Sequence, residues 1–474
     1  MKHPNIVFLF SDQQRWDTVS CYGQPLGGRF GLTPHLDRLA EEGVRFDLAM
    51  TCQPVCGPAR ACIQTGKYPS EIGCQINDMA LPKEEKTIAH YLNENGYETA
   101  YVGKWHLASH RSLKAGTLPG CVDYRTKAIP EALRGGYKDY WVAADVLEYT
   151  SHGYGGYVFN EKGQKLEFSN YRADAITDYA LDYLRREKEK PFFLFVSYIE
   201  PHHQNDHCRF EGPEGSRQKF ADFPVPGDLD GLGGDWDTQM PDYLGCCSRL
   251  DDNAGRIVQE LKRQGIYEDT IVFYTSDHGS HFRTRNGEYK RSCHDASIHV
   301  PLIVRGPGFL GGKVITKLTS LIDIPPTLLA GAGITPPDYM AGVPVQKLVE
   351  HPDVPIHEEV LIQISESCVG RAIRTPAYTY CVERPDTPEE KARAERNMWA
   401  QNWEDSVFAD ASSPVYEERY LYDLEKDPDQ RVNLIADPAY EQVRVRLRER
   451  LLFHIRKEER KTPEILTRKC NKKT

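Results

Sequence analysis

Four apolar runs, each closed by polar residues, most constrain what this chain can become. NIVFLF runs into Ser11-Asp12-Gln13, ETAYVG into Lys104 and His106, FFLFVSYIEP into His202 and His203, and TIVFYTS into Asp277 and His278. A short, continuous apolar run reads as a strand buried on both faces, which is the habit of parallel sheets. Helix patterns lie between the runs. LTPHLDRLAEEG is capped by Thr33, carries Pro34 in its first turn and stops at Gly43; KTIAHYLNENG repeats that form with Thr87 and Gly96. RADAITDYALDYLRREKEK and DDNAGRIVQELKRQG are amphipathic, the second closing at Gly265. Parallel strands need crossovers, so this alternation predicts an α/β fold: a large mixed, mostly parallel sheet sandwiched by helices, with a site beyond the strands' carboxyl ends.

After about residue 355 the pattern shifts to hairpin-like segments, GRAIRTPAYTYCVE and ERYLYDLEKDPDQRVNL, and then a last amphipathic helix. We expect an α/β domain over 1–355 and a smaller C-terminal α+β subdomain over 356–474 with a small antiparallel sheet. The charged tail reads as a solvated helix with a frayed end. The stretch 203–240 is rich in Gly, Pro and Asp, and is expected as a long surface insertion at the mouth of the site. The formal net charge of -10 excludes a phosphate-backbone binder, so no nucleic-acid partner is expected. Ile6 to Phe10 is too short for a leader core, and no run approaches a membrane span. The expected setting is therefore cytoplasmic, without a membrane partner, and with its 13 cysteines reduced.

The four run ends place Asp12, Gln13, Lys104, His106, His202, Asp277 and His278 on one edge of one sheet. Asp12, Gln13, Asp277 and His278 form an oxygen-rich set with one imidazole, which suits Ca²⁺ or Mg²⁺ and leaves room for Mn²⁺ or Zn²⁺. Arg60, Lys104, His106, His202 and Lys290 add cationic donors. A divalent cation beside several cationic side chains implies a compact, multiply charged anion such as sulfate or phosphate. Against that setting CQPVCGPARACIQTG, residues 52–66, is odd. A thiolate at Cys56 is a poor neighbour for a hard cation, because soft sulfur prefers Zn²⁺ or Cu⁺.

This segment resembles the signature of the type I, formylglycine-dependent sulfatases of the alkaline-phosphatase-like superfamily, C-x-P-x-R-x-x-x-x-T-G, here Cys56, Pro58, Arg60, Thr65 and Gly66. GKWHL, EPHH, TSDHG and YKRSCHD are similar to further family segments and carry Lys104, His106, His202, Asp277, His278 and Lys290. The resemblance implies that Cys56 is oxidised to formylglycine by a formylglycine-generating or anaerobic sulfatase-maturing enzyme. It implies a cation, Ca²⁺ first and Mg²⁺ or Mn²⁺ as alternatives, held by Asp12, Gln13, Asp277, His278 and residue 56. The hydrated aldehyde attacks sulfur, with Asp277 orienting its proton. Arg60, Lys104 and Lys290 neutralise the terminal oxygens, His202 with Lys290 protonates the leaving oxygen, and His106 takes the proton that expels sulfate. Cys56→Ser is then expected to trap a covalent sulfo-enzyme. His203 is expected to face solvent, and Cys52 and Cys62 to be core, with a disulfide between them as the other reading.

Asp12-Gln13 with Asp277-His278 is also similar to a subgroup that includes phosphonate monoester hydrolases. A phosphonate monoester or phosphodiester hydrolase, an inactive anion-binding relative, and a two-metal phosphate transferase therefore stand as alternatives. The expected substrate is a small anionic sulfate ester, either a sulfated carbohydrate or an aryl or steroid sulfate.

Overall fold

The computed structural model describes residues 3–110, 122–386 and 411–467. The four apolar runs are strands, Asn5–Asp12, Glu98–Lys104, Phe192–Pro201 and Thr270–Ser276. They lie side by side and parallel, in the spatial order Thr270–Ser276, Asn5–Asp12, Phe192–Pro201, Glu98–Lys104. Every residue of Phe192–Pro201 and Thr270–Ser276 is buried, which accounts for apolar runs without polar alternation. All four polar ends therefore emerge at one edge.

The sheet continues to 11 strands. Leu302–Arg305 joins antiparallel to Thr270–Ser276, followed by Val44–Met50 and Lys313–Ser320. On the other flank come Tyr140–Ala144, parallel, and the hairpin Tyr154–Asn160 with Lys165–Tyr171. The sheet is thus mixed and mostly parallel. Alternate strand residues feed two apolar cores. Phe8, Phe195 and Phe273 pack with Ile88, Leu92 and Leu328 on one face. Val7, Leu9, Val196 and Val272 pack on the other with helices Pro34–Glu42, Arg172–Leu184 and Trp236–Arg263.

Two expectations need correction. The helix expected from Asp251 begins at Trp236 and runs 28 residues, with Pro241 inside it. Pro241 is the sixth residue of that helix, past the first turn, so it gives up one i→i−4 hydrogen bond, to the Asp237 carbonyl, and the helix continues through it. The 203–240 stretch is more than a surface insertion. Phe210, Phe220, Leu229 and Met240 build a small core with Tyr243 and Phe282. Apolar residues spaced this widely leave no periodic trace in a sequence. Arg15 anchors the stretch through Asp228, at 2.9 and 2.8 Å.

A second sheet of five strands spans Val360–Ile364, Gly370–Arg374, Tyr378–Glu383, Val415–Asp423 and Glu464–Leu466. The last strand is parallel to its neighbour and lies in the tail read as frayed; residues 468–474 fall outside the described range. Helix Glu441–Glu459 lays Leu447, Leu451 and Ile455 on this sheet, and Cys52, Cys62 and Tyr68 share the same core. Cys52 and Cys62 are free thiols.

One close approach holds the site edge together. Gly103 has φ +108, and a Cβ there would lie 1.9 Å from the Ser197 carbonyl oxygen of the adjacent strand. Gly103→Ala combines that clash with a left-handed backbone, so it should cost about 3 kcal/mol or more. Urea unfolding of the variant is the check, with soluble protein of unchanged midpoint as the contrary result.

Candidate active site

The CGPARACIQTG segment folds as helix Cys56–Thr65, buried along its whole length. Each motif residue has a physical task. Cys56 opens the helix, at the positive end of its dipole. Pro58 sits in the first turn, where its missing N–H is harmless. Gly66, at φ +74, ends the helix in the left-handed conformation. Arg60 points back at the sheet edge. It donates from Nη2 to Asp12 Oδ2 at 2.9 Å, and from Nη1 to the Lys104 carbonyl at 3.0 Å and Ser197 Oγ at 2.6 Å.

The strand ends close around Cys56 Sγ. Asp12 Oδ1 lies 3.3 Å away, His278 Nε2 3.2 Å, and Lys290 Nζ donates to it at 2.8 Å. Lys104 Nζ donates to Asp12 Oδ2 at 2.8 Å. Burial and the charge of Cys56 oppose ionising Asp12, but Lys104, His202 and Arg60 outweigh them and hold it well below the usual carboxylate range. Burial likewise opposes ionising Cys56. Lys104, Lys290 and His278, with a hydrogen bond from His106, nevertheless hold the thiol well below its ordinary value.

Asp277 Oδ1 accepts the backbone N–H groups of Gln13 and His278, each at 2.9 Å. Its Oδ2 is buried without a hydrogen-bond partner among the described residues, with Arg60 Nη2 3.9 Å away. Burial and the charge of Asp12 push Asp277 up to about 7. His278 Nδ1 lies 2.9 Å from the Gly279 carbonyl, so Nδ1 carries the proton and Nε2 presents its lone pair to the cluster. Ser280 Oγ lies 3.3 Å from Gln13 Nε2, which leaves the amide oxygen as the end suited to a cation. Ligand atoms of Asp12, Cys56, Asp277 and His278 all lie within 4.8 Å of one another. Two buried carboxylates, one with an orphaned oxygen, and an imidazole lone pair converging on one point fit a hard divalent cation.

The remaining predicted residues lie around the same point. Lys290 Nζ also meets His202 Nε2 at 3.1 Å and His278 Nε2 at 3.3 Å. Burial and Lys290 lower His202 below its ordinary imidazole value, with Asp12 and Glu148 pulling the other way. His106 Nε2 lies 3.7 Å from Asp78 Oδ1. Burial would lower His106, but hydrogen bonds with Asp78 and Cys56 push it up to about 9. His203 is corrected: it is 3% exposed, its ring packed on Tyr289 and Phe210, and burial pushes it down to about 4. Phe210 comes from its own stretch and Tyr289 from beyond Asp277, and no sequence period signals that they meet over it.

A model of the Sulfatase family matches residues 4–334. The chain belongs to the sulfatase family. An ulvan-active sulfatase from Formosa agariphila is 32% identical over 400 residues, covering 80% of this chain and 72% of the relative. A protein solved in complex with its substrate, D-glucosamine-2-N,6-O-disulfate, shares the fold at TM-score 0.72 and 22% identity, over 97% of this chain and 98% of that one. A phosphonate monoester hydrolase from Silicibacter pomeroyi shares it at TM-score 0.66 and 20% identity, over 96% of each chain. This sulfatase is accordingly a sulfuric ester hydrolase on an alkaline-phosphatase-like scaffold.

Several residues of the sulfatase site were not singled out from its sequence. Asp145 accepts the N–H groups of Ala108 and Ser109, at 3.0 and 2.8 Å, and so shapes the turn after His106. Glu148 stands behind His202. Both follow the apolar run YWVAA, and the rule applied to the other strand ends would have found them. Asn77 accepts the Gly57 N–H at 2.9 Å and donates its own N–H to Glu366 at 2.5 Å. Asn77, Asp78 and Glu366 come from loops whose arrival at the site has no local signal. Gln13, Asp78, His106, Arg291 and Glu366 all hold positive φ, so strained backbone gathers at this edge of the sulfatase. Outside the centre, His152, Asp206 and His207 form another group of ligand-type side chains. The rings of His152 and His207 lie parallel within 6°, centroids 4.1 Å apart, so one ion cannot sit in both ring planes.

Proposed function

We propose that this sulfatase hydrolyses the sulfate ester of a saccharide, with residue 56 as nucleophile after its cysteine has been converted to formylglycine. The observation that carries this reading is the place of Cys56 Sγ, ringed by Asp12, His278 and Lys290 at 3.3, 3.2 and 2.8 Å. Sulfur is mismatched to a centre that fits a hard cation, whereas an oxygen nucleophile in the same place is not. Conversion supplies that oxygen as an aldehyde hydrate. Asp12, Asp277, His278 and the amide oxygen of Gln13 would hold the cation, Ca²⁺ first and Mg²⁺ or Mn²⁺ as alternatives. When bound, it supplies positive charge to the sulfuryl oxygens.

The chain's own residues do the rest. Lys290 adds charge beside the nucleophile, while Arg60 and Lys104 set Asp12 in place. His202, in contact with Lys290, gives its proton to the leaving oxygen. Asp78 stabilises the imidazolium that forms when His106 accepts a proton from residue 56. A saccharide leaving group is supported by the ulvan-active relative and the disulfated glucosamine complex. It is also supported by an open cavity of about 530 Å³ lined by His152 and Tyr154, which follow Glu148 in the chain, and by His207, Arg209 and Glu211, which follow His202. A phosphonate monoester is the second reading. Gln13 in place of a second acid leaves the centre one negative charge fewer, and a phosphonate hydrolase shares the fold.

The test is the mass of the peptide carrying residue 56, from protein made together with a maturing enzyme. Conversion makes it about 18 Da lighter. Sulfate and phosphonate esters of one phenol are then compared, and the sulfate should turn over faster. An unmodified thiol despite the maturing enzyme would remove the nucleophile, and faster phosphonate turnover would favour the second reading.

A further inference from the structure

We propose that Glu148 is a positioning residue for His202: its carboxylate fixes the ring and supports the charge of the group that protonates the leaving oxygen. This rests on the reading of His202 as that acid.

The two ring nitrogens of His202 have separate partners. Nε2 lies 3.1 Å from Lys290 Nζ, and Lys290 itself reaches Cys56 Sγ at 2.8 Å. Nδ1 faces Glu148 Oε2 at 3.3 Å, an ion-pair distance, and is buried with no hydrogen-bond partner among the described residues. Glu148 is itself held. Its Oε1 accepts from Asn205 Nδ2 at 2.8 Å, and its backbone carbonyl accepts from Gln204 Nε2 at 3.1 Å. It lies in the short turn Leu147–Tyr149, just past the end of strand Tyr140–Ala144. The result is a row: Lys290, His202, Glu148, Asn205.

The chemistry follows from that order. An ammonium donates to Nε2, so neutral His202 keeps its proton on Nδ1, toward Glu148. The working acid must carry a proton on Nε2 as well, which places an imidazolium beside a lysine in a buried site. Lysine alone would repel it; a carboxylate on the far nitrogen makes that form accessible. As the S–O bond breaks, its electron pair stays on the leaving oxygen, and the Nε2 proton joins that oxygen. The other proton stays on His202 Nδ1, directed at the Glu148 carboxylate, throughout. A contact of 3.3 Å leaves room to tighten when the ring is charged, as catalytic contacts commonly do.

Because only a basic leaving oxygen needs the proton, the test compares leaving groups. Turnover of 4-nitrophenyl sulfate and of an alkyl sulfate is measured for Glu148→Gln, Glu148→Ala and the tether control Asn205→Ala. The Glu148 variants should lose about 30-fold to 100-fold in kcat on the alkyl ester and less than about threefold on the nitrophenyl ester, with KM little changed. Asn205→Ala should change both esters alike and slightly. In a His202→Ala background, Glu148→Ala should add nothing. A crystal structure of Glu148→Ala should show the His202 ring turned off Lys290. Equal losses on both esters, an undiminished loss in the His202→Ala background, or an unmoved ring would each overturn the proposal. Were the wild-type protein to hydrolyse neither ester, the sulfate-ester reading would fall, and the ring in the Glu148→Ala crystal would still decide this one.

Discussion

Cys56→Ala should lose at least about a thousandfold of sulfate-ester turnover while keeping the fold. Sγ is the atom on which Asp12, His278 and Lys290 converge, at 3.3, 3.2 and 2.8 Å. Alanine suits the first turn of a helix, so the variant should unfold within about 1 kcal/mol of the parent. Cys56→Ser is the sharper experiment. It restores an oxygen at the same position but carries no second hydroxyl from which a proton can be taken to release sulfate. One equivalent of the alcohol should therefore appear as a burst, with a matching mass gain on the intact protein, and then the reaction should stop. Sustained turnover by Cys56→Ser would refute the assignment of residue 56.

The second large effect is expected at the carboxylates, and the two should behave oppositely. Asp12 Oδ2 receives both Arg60 Nη2 and Lys104 Nζ, at 2.9 and 2.8 Å, with all three groups buried. Asp12→Asn leaves two buried cations without their counter-charge, so it should cost about 3–5 kcal/mol as well as cation affinity. Asp277 is the reverse case. Its Oδ2 has no hydrogen-bond partner among the described residues, and its carboxyl is pushed up from 3.8 to about 7 by burial and by Asp12. A folded-state value above the unfolded one means that the native state binds the extra proton. The cation-free protein should therefore lose the contribution of this group as pH rises from 3.8 to about 7. Asp277→Asn should remove that decline and leave the cation-free protein as stable as the parent or more so, yet unable to hold the cation. Urea unfolding across this pH range, with chelator and with added Ca²⁺, distinguishes the two. Equal destabilisation by both substitutions would contradict this account.

Much of this was legible in the chain. Apolar runs ending in Asp12, Lys104, His202 and Asp277 predict parallel strands, and parallel strands that are spatial neighbours must bring those ends to one edge. The CGPARACIQTG segment stands out because its residues perform local tasks: opening a helix, tolerating its first turn and closing it. The 203–240 stretch was harder, because Phe210, Phe220 and Leu229 bury themselves against partners distant in sequence, with no period to read. His203 was misjudged for the same reason, since Phe210 of its own stretch and Tyr289 from beyond Asp277 meet over it only in the fold.

The sequence by itself determined the strand and helix pattern, the residue types at each strand end and the cysteine signature, because hydrophobic period and capping chemistry act over a few residues. Only the tertiary structure decided which charges meet. It placed Arg60 and Lys104 on Asp12, left Asp277 Oδ2 without a hydrogen bond among the described residues, and set Glu148 behind His202, Asp78 behind His106 and Glu366 on the backbone of Asn77. Such pairings depend on where separate strands and loops end in space, and electrostatic energy falls with distance in space rather than along the chain.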